Sequence, residues 1–335
     1  MNQKTIAKLA HVSPSTVSKA LSGSKEISGE VIERVRKVAL EVGYFQQKNS
    51  RKLEYQRKQS AVIAILCPEL VSIHYSRIVT AAIREIERRG GKATVYVSGF
   101  EKEFIEELTV MLTTQEMADA MIIIEGLRFE YRGGGWLLPI AYIGCSDYYD
   151  SVAVDLDEAV YRCIEYLRQL GHTRIGYIGE PYTKMKLDSF LQAMERQGLQ
   201  TLKEDCYEVD ARFEEIGKQA VRQMLGKGTN MPTAVLAAYD EIALAAIAEF
   251  EKHGIKVPDQ ISVVGMNDVP YAAYARPSLT TLHFFLEEQC ELAVEMLYER
   301  IFQKRKEPRH IRLKAQLMIR ESTAGKRSKE MERRE

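Results

Sequence analysis

The chain has 335 residues, 45% of them hydrophobic, and it balances 47 Lys and Arg against 47 Asp and Glu. That length supports two or three domains with sizeable cores, and no apolar run approaches the roughly 18 residues that a membrane span requires. The neutrality is uneven: residues 1–60 hold 12 Lys and Arg against 5 Asp and Glu, a net of +7, which leaves −7 on residues 61–335. A basic head on an acidic body suits a head that meets a polyanion and a body that does not.

Three short helices are expected in residues 1–44. In "TIAKLAHV" the apolar Ile6, Leu9 and Ala10 fall at i, i+3 and i+4, one helical face. Ser13 is a good N-cap, and Pro14 then takes the first helical position, where a missing N–H costs nothing. Val17, Ala20 and Leu21 point inward, and Gly23 ends this helix. Ser28 caps a third helix with Val31, Val35, Val38 and Val42 as its buried stripe, closed by Gly43. At about 100° per residue, Ser15 and Lys19 lie opposite the buried positions of the second helix, with Thr16 and Ser18 on its flanks. Ser15 and Lys19 can therefore reach base edges, and Thr16 and Ser18 can donate to phosphates, as in a helix-turn-helix seated in the major groove. Spacing alone also fits an ordinary three-helix bundle with a polar face.

Residues 45–60, "FQQKNSRKLEYQRKQS", are polar and basic with a single leucine. The body from residue 61 alternates short β-branched runs with amphipathic stretches. "AVIAILC", "KATVYV", "DAMIIIEG" and "IAYIGC" read as strands, separated by the helical "YSRIVTAAIREIERRGG" and "KEFIEELTVMLTT". After "VAVD" the alternation restarts with "LDEAVYRCIEYLRQLGH" and runs to the strand "QISVVGMND". Such alternation predicts parallel sheets covered on both sides, and two runs of it predict two doubly wound subdomains. Ligands of such sheets bind beyond the carboxyl ends of the strands, here between the halves.

The cysteines, Cys67, Cys145, Cys163, Cys206 and Cys290, are odd in number and widely spaced, with no CxxC. This argues against a disulfide framework or zinc site and for a reducing compartment. "MNQKTIAKLAHVS" holds no secretory apolar segment, so a cytoplasmic location is expected. The glycine-rich "RGGGW" at 132–136 is neither GxGxxG nor a phosphate-binding loop, and no GxSxG, HExxH or convergent Cys/His pair is present. An enzyme is therefore not expected, nor is a cofactor or metal.

"TIAKLAHVSPSTVSKALSG" followed by "VIERVRKVALEVGY" resembles the DNA-binding domain of the LacI/GalR transcriptional regulators. "LRQLGHTRIGYIG", "HGIKVPDQISVVGMNDVPYAAYARPSLTTL" and "IRLKAQLMIREST" resemble the core of the same family, which is itself similar to periplasmic sugar-binding proteins. The resemblance implies an N-terminal all-α helix-turn-helix domain at 1–44 and a hinge at 45–60. It also implies a periplasmic-binding-protein-like α/β core of two doubly wound parallel-sheet subdomains at 61–322, with crossings near 155, 284 and 306. A charged tail at 323–335 follows and carries no leucine heptad for a tetramer clamp.

The resemblance also nominates residues. Thr5, Ser13, Pro14, Ser15, Thr16, Ser18, Lys19 and Ser22 would meet DNA, and "SRKL" puts Arg51 and Leu53 at the hinge positions, where a leucine wedge unstacks a minor-groove step. A flexible charged linker fits the hinge composition equally well. His11 stands where glycine is usual, Lys19 for arginine, Ser22 for asparagine, and Gln46 and Gln47 for the usual proline and asparagine. For the effector the implied contacts are His74, Tyr75, Asp155, Lys186, Phe213, Tyr239 and Asn267, with Asp268 structural. Rings offer flat faces to a sugar, and Lys186 with Asn267 offers directional polar groups, so a neutral or weakly anionic polyol is expected. The implied protein is a homodimeric repressor of a carbohydrate-use operon that binds operator DNA and a sugar-like effector. Ligand-tightened DNA binding and control by a partner protein stay open.

Overall fold

The computed structural model describes residues 3–21, 24, 26–42, 44, 61–124, 138–228 and 230–326. The hinge with Arg51 and Leu53, Ser22, Gly23, Gly43, the 132–136 glycine run and the tail beyond 326 lie outside the described residues.

The head is three helices: α1 (Gln3–Leu9), α2 (Pro14–Leu21) and α3 (Gly29–Glu41). Its core is Ile6, Ala7, Ala10, Val17, Ala20, Val35 and Ala39, bordered by Leu21, Val31, Val38 and Val42. Leu9 is a correction to the expected stripe, because it is 52% exposed. In a seven-residue helix the i, i+3, i+4 rule fits more than one face, and the partner helices select the face holding Ile6, Ala7 and Ala10. His11, in the turn between α1 and α2, has φ 51°, the left-handed region that favours glycine.

The chain divides into two compact units. One is Met1–Ala153 with Leu286–Ile311, and the other is Val154–Phe285 with Arg312–Glu335. The chain thus passes between them after residues 153, 285 and 311.

The first unit holds β1 (Val62–Cys67), α4 (Ile73–Arg88), β2 (Lys92–Val97), α5 (Lys102–Thr114), β3 (Ala120–Ile124), β4 (Ile140–Ile143) and β5 (Asp150–Val154). It also takes the late helix α10 (Leu286–Phe302) and the start of β11 (His310–Leu313). Its sheet order is β11-β5-β4-β3-β1-β2, with β1 to β5 paired parallel. Ile63, Ala64, Ile65, Met121, Ile122 and Ile123 are fully buried, as expected for strands covered on both faces. The carboxylate of Asp150, fully buried at the start of β5, accepts from the guanidinium groups of Arg300 and Arg305 and from the Arg309 N–H.

The second unit holds α6 (Leu156–Gln169), β6 (Ile175–Gly179), α7 (Lys184–Arg196), β7 (Cys206–Glu208), α8 (Glu214–Leu225), β8 (Ala234–Ala237), α9 (Asp240–Lys252), β9 (Ser262–Met266) and β10 (Thr280–His283). β12 (Gln316–Met318) completes its sheet, ordered β12-β10-β9-β8-β6-β7. All its pairs are parallel except β10 with β12. A three-residue edge strand needs no crossover helix and is free to run the other way. β10, β11, β12 and α10 carry no strong alternation of their own in the sequence.

Asp240 ties this unit together at the start of α9. Its carboxylate is fully buried, accepts from the Thr281 hydroxyl at 2.5 Å and from the Val269 N–H at 2.7 Å, and so joins α9 to the β9–β10 segment. Gly265 makes the room, since a Cβ there would lie 2.2 Å from Asp240 Oδ1.

Candidate functional site

The first candidate surface is α2. The Ser13 hydroxyl accepts from the Thr16 N–H at 3.0 Å, and Pro14 follows at the first helical position. This is the start expected from the sequence, and it satisfies one of the orphan donors at the helix N-terminus. Val17 and Ala20 anchor the helix in the head core. Ser15, Ser18 and Lys19 are left exposed on its outer side, with Ser13 and Pro14 exposed at its start. Thr16 is half-buried, and its hydroxyl shares a 2.8 Å hydrogen bond with the Ser13 hydroxyl. Thr5 lies half-buried on α1. The Lys19 ammonium is ion-paired with Glu26, a residue the sequence did not single out.

The second candidate is the carboxyl edge of the sheet in the second unit. Four adjacent strands, β7, β6, β8 and β9, each hand a functional side chain to this edge just beyond their ends. Glu180 follows β6, Arg212 and Phe213 follow β7, Tyr239 follows β8 and Asn267 follows β9. Lys186 joins them from the first turn of α7.

Tyr239 is the centre of this group. Its phenol donates to Glu180 Oε1 at 2.8 Å and accepts from the Phe213 N–H at 3.1 Å. Its ring meets the Phe213 ring edge-on at 6.3 Å, and Lys186 Nζ stands 5.9 Å from its centroid. Lys186 donates to the Ala238 carbonyl at 2.7 Å. Arg212 stacks its guanidinium over Tyr182 at 5.2 Å and Phe213 at 4.8 Å, with Nε 3.5 Å from Glu180 Oε2. Burial, and after it the Glu180 carboxylate, drives the Tyr239 phenol far above its ordinary range. The phenol is therefore a proton donor at every physiological pH.

Asn267 is 3% exposed, has φ 99°, and its Oδ1 meets no donor among the described residues. A buried carbonyl oxygen without a donor costs free energy, and a ligand hydroxyl or N–H would remove that cost. Asp268, expected to be structural, is bonded within its own unit. It pairs with His283 Nδ1 at 2.9 Å and Arg320 Nη2 at 2.7 Å.

The structure thus brings Lys186, Phe213 and Tyr239 into contact and places Asn267 on the same edge. Asp155 serves as the N-cap of α6, accepting from the Glu158 N–H at 3.3 Å. His74 and Tyr75 belong to the first unit, in the first turn of α4, where their rings meet edge-on at 5.3 Å. Tyr75 continues to Phe100, 6.2 Å away, beyond the end of β2. Glu180, Arg212 and Phe100 were not picked out from the sequence. Glu180 had a local signal, an acid between a strand and Pro181 with Thr183 three residues on, which is the spacing of a capped turn. Among the described residues no group of three or more His, Cys, Asp or Glu could hold a metal ion, and no helix is long and apolar enough to cross a membrane.

A capped helix of exposed hydroxyls and a lysine, carried ahead of two doubly wound units with a polar and aromatic strand-end cluster, is the layout of a DNA-binding regulator with an α/β core. Residues 4–47 match the model of bacterial regulatory proteins of the lacI family, and residues 164–323 match that of the periplasmic binding protein-like domain. The chain is 28% identical over 338 residues to the HTH-type transcriptional repressor PurR of Escherichia fergusonii, covering 96% of both chains. Its fold is similar to that of the lac repressor dimer bound to operator and the anti-inducer ONPF, with a TM-score of 0.67, 23% identity and coverage of 97% of this chain and 99% of that one. It is likewise similar to the transcriptional regulator CelR in complex with cellobiose, with a TM-score of 0.66, 23% identity and coverage of 96% and 99%. The chain belongs to the lacI family of bacterial regulatory proteins, and it is a DNA-binding transcriptional regulator.

Proposed function

We propose that the protein is a cytoplasmic, homodimeric repressor of a carbohydrate-use operon, released from a palindromic operator by a small sugar-like effector, and that it catalyses no reaction. Ser15 and Lys19 face base edges, Ser18, Thr16 and Thr5 meet the backbone, and two-fold protein symmetry matches the two half-sites. The effector is held by the strand-end cluster of the second unit, with Asn267 as acceptor, Lys186 as donor and Phe213 as an apolar wall. His74 and Tyr75 are the candidate contacts on the first unit. The observation that carries the effector reading is the buried Asn267 Oδ1, an acceptor that meets no donor among the described residues and is open to a ligand hydroxyl. Coupling to DNA requires only that the effector prefer one state of the regulator.

The test is a thermal-shift screen of the full chain against cellobiose, ribose, other neutral sugars, sugar phosphates, uronates and purines. Each hit is then retested for its effect on DNA binding. A sugar that raises the melting temperature and releases DNA supports the reading. A sugar that tightens DNA binding makes the protein a corepressor system instead. The absence of any small-molecule hit transfers the signal to a partner protein.

A further inference from the structure

The turn between α2 and α3 carries an acid, Glu26. Glu26 is exposed, and its Oε2 pairs directly with Nζ of Lys19. Lys19 itself stands on the outer side of α2 beside Ser15 and Ser18, with 51% of its side chain exposed. The carboxylate is thus attached to the tip of the one cation that α2 presents. Wherever that ammonium enters a groove, the carboxylate arrives within hydrogen-bond reach.

An acid at this place is repelled by DNA phosphates and weakens binding to every sequence alike, unless it meets a donor. The major groove supplies one. A G·C pair presents the N7 and O6 acceptors of guanine beside the N4 donor of cytosine, whereas an A·T pair presents acceptor, donor, acceptor and then a methyl group. An ammonium that spans two neighbouring acceptors with a carboxylate beyond it complements the N7, O6 and N4 order of the G·C edge. In that same register an A·T pair would set its N6 donor against the ammonium and its O4 acceptor against the carboxylate.

We propose that Lys19 and Glu26 read one G·C base pair in each half-site as a unit, Lys19 donating to guanine O6 and N7 and Glu26 accepting from cytosine N4. This rests on the reading of α2 as the base-reading helix. Because the pair already exists in the free head, the lysine's rotamers are restricted before DNA arrives, so a side chain that is otherwise a flexible point charge gains direction. Glu26 is then a specificity-determining residue, trading affinity for all DNA against preference at one position.

The test is selection from a random duplex pool with the full-length protein and with Glu26→Gln, Glu26→Ala and Lys19→Ala. Wild type should enrich a palindromic site with G·C fixed at one position per half. Glu26→Gln and Glu26→Ala should lower discrimination at that position by on the order of tenfold, leave the other positions unchanged, and bind unselected duplex a few-fold more tightly. Lys19→Ala should relax the same position, and adding Glu26→Gln to it should relax no further position. Unchanged base preferences in both Glu26 variants would overturn the proposal and make Glu26 a repelling surface charge only. Failure of the wild type to enrich any palindrome would instead overturn the reading of the head itself, and the proposal with it.

Discussion

Tyr239→Phe removes one hydroxyl and no other atom from the strand-end cluster, so its effect can be worked from two bonds. The Glu180 carboxylate, 3% exposed, loses a 2.8 Å donor, and the Phe213 N–H loses a 3.1 Å acceptor. A hydrogen bond to a charged group contributes about 1.5–3 kcal/mol, and an orphaned buried donor costs about 1–3 kcal/mol. Part of this is offset, because Phe213 is held at φ 54°, ψ −129°. Such a backbone stores about 1–3 kcal/mol that relaxes once the latch is gone. The net expectation is a destabilisation of about 2 kcal/mol, read as a lower urea midpoint at unchanged slope. The same variant should exchange its Phe213 amide hydrogen faster by more than tenfold. The phenol stays protonated at neutral pH, so the difference should be constant between pH 6 and 8. An unchanged midpoint together with a still-protected Phe213 amide would refute the argument that Tyr239 holds this loop.

Two further outcomes concern buried carboxylates. Asp150→Ala should cost about 3–5 kcal/mol, because it leaves the Arg300 and Arg305 guanidinium groups, both largely buried, without their charge partner; a loss below about 1 kcal/mol in denaturant melts would contradict it. Burial pushes the Asp150 carboxyl up, but bonds from Arg305, Arg300 and the Arg309 N–H outweigh it and hold it below the ordinary range. The stability this confers is present at neutral pH and lost as pH falls through the depressed value. Asp240 has the opposite sign: burial pushes it up to about 7, against the pull of the Thr281 hydroxyl and the Val269 N–H. Its contribution is complete below the unfolded value near 4 and is lost as pH rises through about 7, with a slope of at most about 1.4 kcal/mol per pH unit. Asp240→Asn should flatten the fall in melting temperature between pH 5 and 8, and parallel profiles for the two proteins would sink that account.

The head was legible where a rule had one solution. Ser13 followed by Pro14 can start a helix in only one register, and α2 begins there. The face of α1 was not legible, because a seven-residue helix with Ile6, Ala7, Leu9 and Ala10 offers two apolar faces, and only packing against Val17 and Val35 decides between them. In the body, alternation of β-branched runs with amphipathic helices was enough for two parallel sheets. The antiparallel edge strand β12 was hidden, because three residues hold no period. At the site, Phe213, Tyr239 and Asn267, each just beyond a strand, could be nominated through the family resemblance. Glu180 follows one too, but a charged residue after a strand reads as solvated loop. Only the fold shows that the Tyr239 phenol reaches back over it and that Arg212 lies against it. The Lys19–Glu26 pair was invisible for a related reason, since seven residues and a turn separate the partners.

The backbone separates the strained positions of this chain into two kinds. Among the described residues, eight that are not glycine have positive φ. His11, Glu116 and Lys304 follow α1, α5 and α10, where the left-handed turn that ends a helix is usual and any side chain is incidental. Phe100, Phe213, Asn267, Asp268 and Phe285 instead follow the ends of β2, β7, β9 and β10. Glycine would adopt each of these conformations without penalty, so retaining a phenylalanine or asparagine there costs about 1 kcal/mol or more apiece. Packing repays that cost at Asp268, which holds His283 and Arg320. At Asn267 no donor among the described residues repays it, since its Oδ1 is buried and unbonded. A strained residue that also withholds a hydrogen bond from the protein is accounted for physically only if something outside the protein supplies the partner. Backbone strain and the unbonded Asn267 Oδ1 thus mark the same edge of the sheet as the chemistry of Lys186, Phe213 and Tyr239.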